Sequence, residues 1–246
     1  MDAVDLAPAR FAALVAPAID RLYRGAMITV RDKGGRDLVT RVGRPALAPL
    51  IVLRMRLEWP DGVVGAAGLE AVHRYHDPQE WRANLETSAG HGAAEFTPDG
   101  GLRATERGRE LLGELTEHQA TVTAELWSGE DQRVRRLLDA LAILLEAGAP
   151  TGGDAFAALT PPYEPPSAPA SLRLLVRLGA LRYHRADAHA AAWRKAGLTA
   201  DGIAEMPPGP ERDAIEAETN LGAAPPFGAL DAQHRLEFLA DLAALS

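Results

Sequence analysis

Gly90-His91-Gly92-Ala93-Ala94-Glu95-Phe96-Thr97-Pro98-Asp99-Gly100-Gly101-Leu102-Arg103-Ala104-Thr105-Glu106-Arg107-Gly108-Arg109-Glu110-Leu111-Leu112 is the stretch whose reading decides the fold. A helix ends in its first residues, and a short strand runs to Phe96. Pro98-Asp99-Gly100-Gly101 then offers the proline and glycines that a tight reversal needs, and a second strand begins at Leu102. Thr105 is a side chain suited to capping the helix that follows, from about Glu106 to Trp127.

Immediately upstream, Val63 to Tyr75 reads as a short helix containing Gly68-Leu69-Glu70-Ala71-Val72. Asp77 and Pro78 supply an N-cap and first-turn pair for another helix, which carries Trp81 and Leu85. Two short helices followed by a hairpin and a long helix spell a winged helix-turn-helix with the hairpin as its wing. Further out, Ala9 to Val30 has helical apolar spacing and the polar run 31–37 reads as a loop. Pro45 to Glu58 reads as one buried helix, stopped by Trp59-Pro60-Asp61-Gly62. Past Ser128-Gly129-Glu130 come a helix over about 132–147 and a Pro/Gly-rich connector over 150–169. A long helix over 170–196, a helix over 211–220 and a last amphipathic helix from Asp231 complete the chain. The expectation is a mainly α protein: a winged helix-turn-helix domain with flanking helices over 1–128, and a helical domain over 129–246.

The order of elements over residues 9–127 resembles the MarR-like winged-helix regulators, the hairpin being the most specific part of the likeness. The resemblance implies a cytoplasmic homodimer held through its terminal helices, responsive to a small apolar or aromatic ligand and bound to duplex DNA. Arg82, Asn84, Ser88, Arg103 and Arg107 are then the DNA-contacting candidates. Charge argues the other way. Residues 62–112 hold five arginines against eight acids, the whole chain carries a net charge of -8, and neither half is basic. DNA affinity comes largely from neutralising phosphates, which this balance opposes.

Composition narrows the chemistry. Hydrophobic residues make up 47% of the 246, ample for a core, and there is no cysteine. Disulfides, thiolate metal sites and a cysteine nucleophile are excluded. No uninterrupted apolar run is long enough to span a bilayer, and Met1-Asp2-Ala3-Val4-Asp5 lacks the basic start of a secretory signal, so a cytoplasmic location is expected. No glycine-rich phosphate loop, nucleophile elbow, zinc-protease or EF-hand motif occurs, and no cofactor is indicated. His73 and His76 have chelating spacing but lack a third ligand at a fixed offset.

A second cluster lies in Leu181-Arg182-Tyr183-His184-Arg185-Ala186-Asp187-Ala188-His189, inside the long helix. Helical spacing continues the stripe Leu174, Leu178, Leu181 into Arg185 and His189. Asp187 is placed to orient His184 or Tyr183, and Arg185 to meet Glu216 or Glu218. The run resembles an Arg-x-His-Arg-Gly-Asp-Gly-His segment of a poorly characterised actinobacterial helix-turn-helix family, with both glycines replaced by alanine. That family's later Ile-Glu-x-x-Thr-Asp stretch is echoed by Ile215-Glu216-Ala217-Glu218-Thr219-Asn220. His184, Arg185, Asp187 and His189 are therefore the ligand-binding candidates. Two functions stand side by side: a MarR-like regulator, or a winged-helix scaffold without DNA that binds or converts a small molecule.

Overall fold

Helix α1 (Pro8–Val30) is written by Phe11, Val15, Ile19, Leu22, Ala26 and Val30, which recur at helical spacing and are all buried. The structure, a computed structural model, describes residues 6–245, without the Val42 side chain; Met1–Asp5 lie outside the described residues. Pro17 sits inside α1 without ending it. The segment expected to be a loop over 31–37 does break the helix, though over fewer residues. Lys33 (φ -85°, ψ 32°) and Gly34 (φ +108°) leave helical geometry, and this kink over Arg31–Gly35 leads into α2 (Arg36–Val42). Glycine is required in that left-handed position, and a Cβ on Gly35 would lie 2.7 Å from the Val30 carbonyl oxygen.

The expected single helix over Pro45–Glu58 is broken into three pieces: α3 (Arg44–Leu47), a 3-10 segment (Ala48–Leu53) and α4 (Arg54–Leu57). Pro49 is the physical reason, since it has no N–H to donate and its ring crowds the preceding turn. Next come β1 (Val63–Val64), α5 (Ala66–Val72) and α6 (Pro78–Gly90). The Asp77 carboxylate caps α6 by accepting from the N–H groups of Gln79 (2.8 Å) and Glu80 (2.9 Å). Strands β2 (Ala94–Phe96) and β3 (Leu102–Ala104) form the expected hairpin, closed by Thr97 N–H donating to Gly101 O at 2.9 Å. β1 adds antiparallel to β3, giving the order β1-β3-β2. Helix α7 (Glu106–Leu126) starts with Gly108 N–H donating to Thr105 Oγ1 at 3.1 Å.

The second half holds α8 (Asp131–Gly148), α9 (Asp154–Leu159), α10 (Ala170–Lys195), α11 (Ala200–Glu205), α12 (Pro210–Gly222), a 3-10 turn (Pro225–Ala229) and α13 (Ala232–Leu245). The stretch 150–169 is thus partly helical. Its proline-rich remainder lies against the first half, with Tyr163 N–H donating to Met55 O at 2.8 Å and the Trp59 indole to Pro161 O at 3.4 Å.

Two main cores result. Leu47, Leu50, Leu53, Leu69, Leu85, Leu102 and Leu112 pack the short helices around the hairpin. Residues of α1 share the larger core with α8, α10 and α13, so the leading helix packs with the C-terminal half. Phe238 and Leu242 of α13 are buried in that core, and Asp241 accepts two 2.7 Å hydrogen bonds from Arg136. Both terminal helices therefore spend apolar surface inside one chain. No helix among the described residues is long and apolar enough to cross a membrane.

Candidate ligand cleft

Helix α10 turns by about 100° per residue, so the 182–189 run divides between two faces. One face carries His184 and Asp187 toward α9. The other carries Arg182, Arg185 and His189 toward α1 and α12.

On the first face every polar group is consumed by packing. His184 is buried, its Nε2 lies 2.9 Å from the Thr151 hydroxyl, and the Phe156 ring meets it edge-on at 5.3 Å. Burial holds its pKa below the ordinary histidine value, against the opposing charge of Asp187. Asp187 orients neither His184 nor Tyr183 by a hydrogen bond, contrary to the expectation. It pairs with Arg74 from the loop after α5 and accepts Phe156 N–H at 2.8 Å, serving the first turn of α9. Arg74 also donates to the backbone oxygens of Ala71 and Ala186. A buried cation and a buried anion thereby fasten three segments at one point.

The second face is different. Arg185 donates to Asn220 Oδ1 at 2.7 Å and to Glu216 Oε2 at 2.9 Å, meeting the expected carboxylate on α12. Thr219 donates its hydroxyl proton to Ile215 O at 2.8 Å, so its oxygen accepts from His189 Nδ1, 3.2 Å away. That bond assigns the Nδ1–H tautomer and leaves a lone pair on His189 Nε2. Burial lowers the His189 pKa, aided by Arg185, Arg212 and Arg74 and opposed by Glu216, so the ring is neutral at pH 7. Tyr75 faces it at 6.5 Å between ring centroids, and the Tyr75 oxygen accepts from the Trp193 indole at 3.3 Å. Tyr183 has no hydrogen-bond partner among the described residues, and burial pushes its pKa up to about 12, keeping the phenol protonated.

These groups line a cleft of about 830 Å³ bounded by α1, α10, α12 and the segment after α5. Ala12, Ala13 and Ala16 on α1 leave the space open, while Ile19 and Phe227 give it an apolar wall. Arg182 closes one side by donating to Asp20 at 2.9 Å while lying 4.5 Å over the Tyr23 ring. A cleft of this size, apolar on one wall and polar on the other, suits an organic molecule of modest size. Sequence reasoning found His189 and Arg185, named Tyr183 only as a group that Asp187 could orient, and missed Tyr75, which carries no motif and reaches the site only through the fold.

The candidate DNA residues are dispersed by their partners. Ser88 is fully buried, its hydroxyl 3.4 Å from Pro45 O, on the inner face of α6 rather than at the surface. Arg82 is tied to Glu70 at 2.9 Å and Arg103 to Glu95 at 2.6 Å. Asn84 and Arg107 are exposed. His73 stacks on Trp81 at 5.0 Å between centroids, and burial drives its pKa down to about 4. Among the described residues no three histidines or carboxylates gather as a metal set. No protein-family model, curated protein or solved structure matches the chain.

Proposed function

We propose that this chain is a small-molecule-binding protein whose cleft between α1, α10 and α12 holds a neutral organic ligand carrying a hydroxyl or amide on an apolar body. One observation carries the reading: His189 Nε2, an acceptor, and the Tyr183 hydroxyl, a donor without a protein partner, line one cleft whose opposite wall is apolar. Arg185, Asn220 and Glu216 satisfy one another and hold α12 in place, which pre-organises the two free groups. A neutral His189 can also accept a proton from a bound phenol, the step with which a reaction would begin.

Ligand-observed NMR with a panel of phenols and benzamides tests it. Wild-type protein is expected to bind members of the panel, His189→Gln to bind them at least fivefold more weakly, and Ala16→Trp, which fills the cleft, not to bind them. Absence of binding at millimolar concentration, or binding indifferent to Ala16→Trp, overturns the proposal.

A second reading is favoured by one observation. Helix pair α5–α6, the hairpin behind it and the strand order β1-β3-β2 support a winged helix-turn-helix of the MarR-like kind. On this reading α6 and the hairpin face DNA through Asn84, Arg107 and whichever of Arg82 and Arg103 gives up its carboxylate. The ion pairs of those two arginines and the surrounding acids oppose phosphate binding, so the non-DNA scaffold is the reading we adopt. A band shift of the chain's own promoter fragment at 50 mM salt, weakening steeply with added salt, would reverse that choice.

A further inference from the structure

We propose that a second cleft, on the other side of Arg24, binds an organic carboxylate with an apolar body. This site goes beyond the function proposed above and uses a different cavity.

The cleft, about 900 Å³, lies between the end of α1, the kink over Arg31–Gly35, α2 and the middle of α7. The kink creates it. Gly34 in its left-handed conformation and Gly35 packed against the Val30 carbonyl turn the chain, and His118 of α7 holds the turn by donating its Nε2–H to Val30 O at 3.1 Å. As a result Arg24 and Arg31 come from one side of the turn, and Arg36 and Arg44 from the other.

These four guanidinium groups line the cleft, and no carboxylate lines it among the described residues. Their ion-pair partners are few. Asp32 is shared by Arg31 at 2.9 Å and Arg36 at 3.9 Å. Asp20 is shared by Arg24 at 3.6 Å and Arg182. Arg44 has no ion-pair partner among the described residues. The space is therefore electropositive, within a protein whose net charge is -8.

The floor adds an independent observation. Gln119 is fully buried and lines the cleft. Its Oε1 accepts Arg54 Nε at 3.3 Å, while its Nε2 has no partner, and the Arg54 Nη2 beside this bond is also unpartnered. Buried amide donors are almost always satisfied, so an orphan at the base of a cationic cleft is a binding group awaiting an acceptor. An anionic oxygen supplies one. Met27, Val30, Val39, Ile51 and Leu115 give the apolar wall, and Ile28, an apolar side chain 50% exposed, stands at the same cleft. Cationic groups and a buried donor next to such a wall recognise a carboxylate on a hydrocarbon body, because neither part alone uses the whole site.

Titration calorimetry with naphthalene-2-carboxylate, and with naphthalene-2-carboxamide as its neutral isostere, tests the inference on the full chain. The carboxylate is expected to bind one to one, at least about tenfold more tightly than the amide, and to weaken as salt is raised. Arg44→Gln, at an exposed unpaired position, should weaken the carboxylate several-fold and leave the amide unchanged. Gln119→Glu is the decisive variant. It keeps the shape and strengthens the contact to Arg54, so the fold should melt no lower than wild type, yet it replaces the orphan donor by a negative charge and should abolish carboxylate binding. Ala16→Trp, which fills the first cleft, should leave carboxylate binding intact, so this proposal and the first fail independently. Equal binding of acid and amide, wild-type affinity in Gln119→Glu, or loss of binding in Ala16→Trp overturns it.

Discussion

Replacing Asp187 by alanine should cost the protein more stability than any other single change in the 182–189 run. The Asp187 side chain is 9% exposed and its partner Arg74 is 6% exposed, so neither charge has water to fall back on. Removing the carboxylate leaves a buried guanidinium held only by the Ala71 and Ala186 carbonyls. Breaking a buried pair from one side costs about 3–5 kcal/mol, mainly the penalty of the uncompensated charge. The Phe156 N–H, which donates to Asp187 at 2.8 Å, loses its acceptor as well. Gly153 sits so close that a Cβ there would lie 2.9 Å from the Asp187 carboxyl carbon, so the surroundings are packed rather than wet. Asp187→Asn keeps an acceptor for Phe156 and loses only the charge, so about 1.5–3 kcal/mol is expected. Arg74→Met combined with Asp187→Ala should cost less than the two changes summed, by about 2 kcal/mol, because the double variant buries no lone charge. Urea unfolding followed by circular dichroism measures wild type, the two Asp187 variants, Arg74→Met and the double variant. A cost below about 1 kcal/mol for Asp187→Ala, or strict additivity in the cycle, refutes the reasoning.

Burial raises the Glu58 pKa to about 7, against the pull of the Thr116 hydroxyl and Arg54. The folded state therefore holds a proton that the unfolded state releases near pH 4.5, and stability falls as pH rises from there to about 7, by about 3 kcal/mol. Glu58→Gln should thus unfold at higher urea than wild type at pH 8 and at nearly the same urea at pH 5; equal offsets at both pH values would contradict the assignment. His73 carries the opposite slope, its folded pKa of about 4 lying under the ordinary 6.5, so it removes stability as pH falls through that interval. Gly108→Ala would set a Cβ 1.8 Å from the Ala93 carbonyl oxygen. The start of α7 and the strand entry would have to separate, at about 1–3 kcal/mol or more, which hydrogen exchange should report as lost protection at Thr105 N–H, the donor to Ala93 O.

Local signals predict the elements they govern. The Asp77 and Thr105 caps, the Gly100-Gly101 reversal and the apolar stripe of α1 each act within a few residues, and each lies where its chemistry requires. The misread stretches are those where two local rules compete. Arg31–Asp37 reads as a breaker because of its charges and glycines, and the chain does kink there, but the helix resumes at Arg36, and His118, 88 residues after Val30, braces the kink through the Val30 carbonyl. Pro45–Glu58 has helical apolar spacing, and Pro49 overrides it. β1, only two residues long, owes its existence to β3, 38 residues away, and no property of Val63-Val64 alone announces it.

The candidate site repeats the same division at the level of side chains. Helical periodicity places Arg185 and His189 on one face of α10 and predicts the meeting of Arg185 with Glu216, because both ends of that contact lie in helices of regular spacing. Periodicity cannot say which face will meet a cleft and which will meet another helix. Asp187 looks like the orienting acid of a histidine site when only its own helix is considered; Arg74, 113 residues earlier in an irregular segment, claims it instead. The same holds for charge. Arg82 and Arg103 read as free cations in sequence, while Glu70 and Glu95 neutralise them across a helix pair and a hairpin. Conversely Arg24, Arg31, Arg36 and Arg44, scattered over 21 residues and unremarked as a motif, converge because one glycine kink folds their helices around a common space. A chemical motif in a helical protein is therefore a list of side chains in search of faces, and the faces are assigned by the least regular residues of the chain.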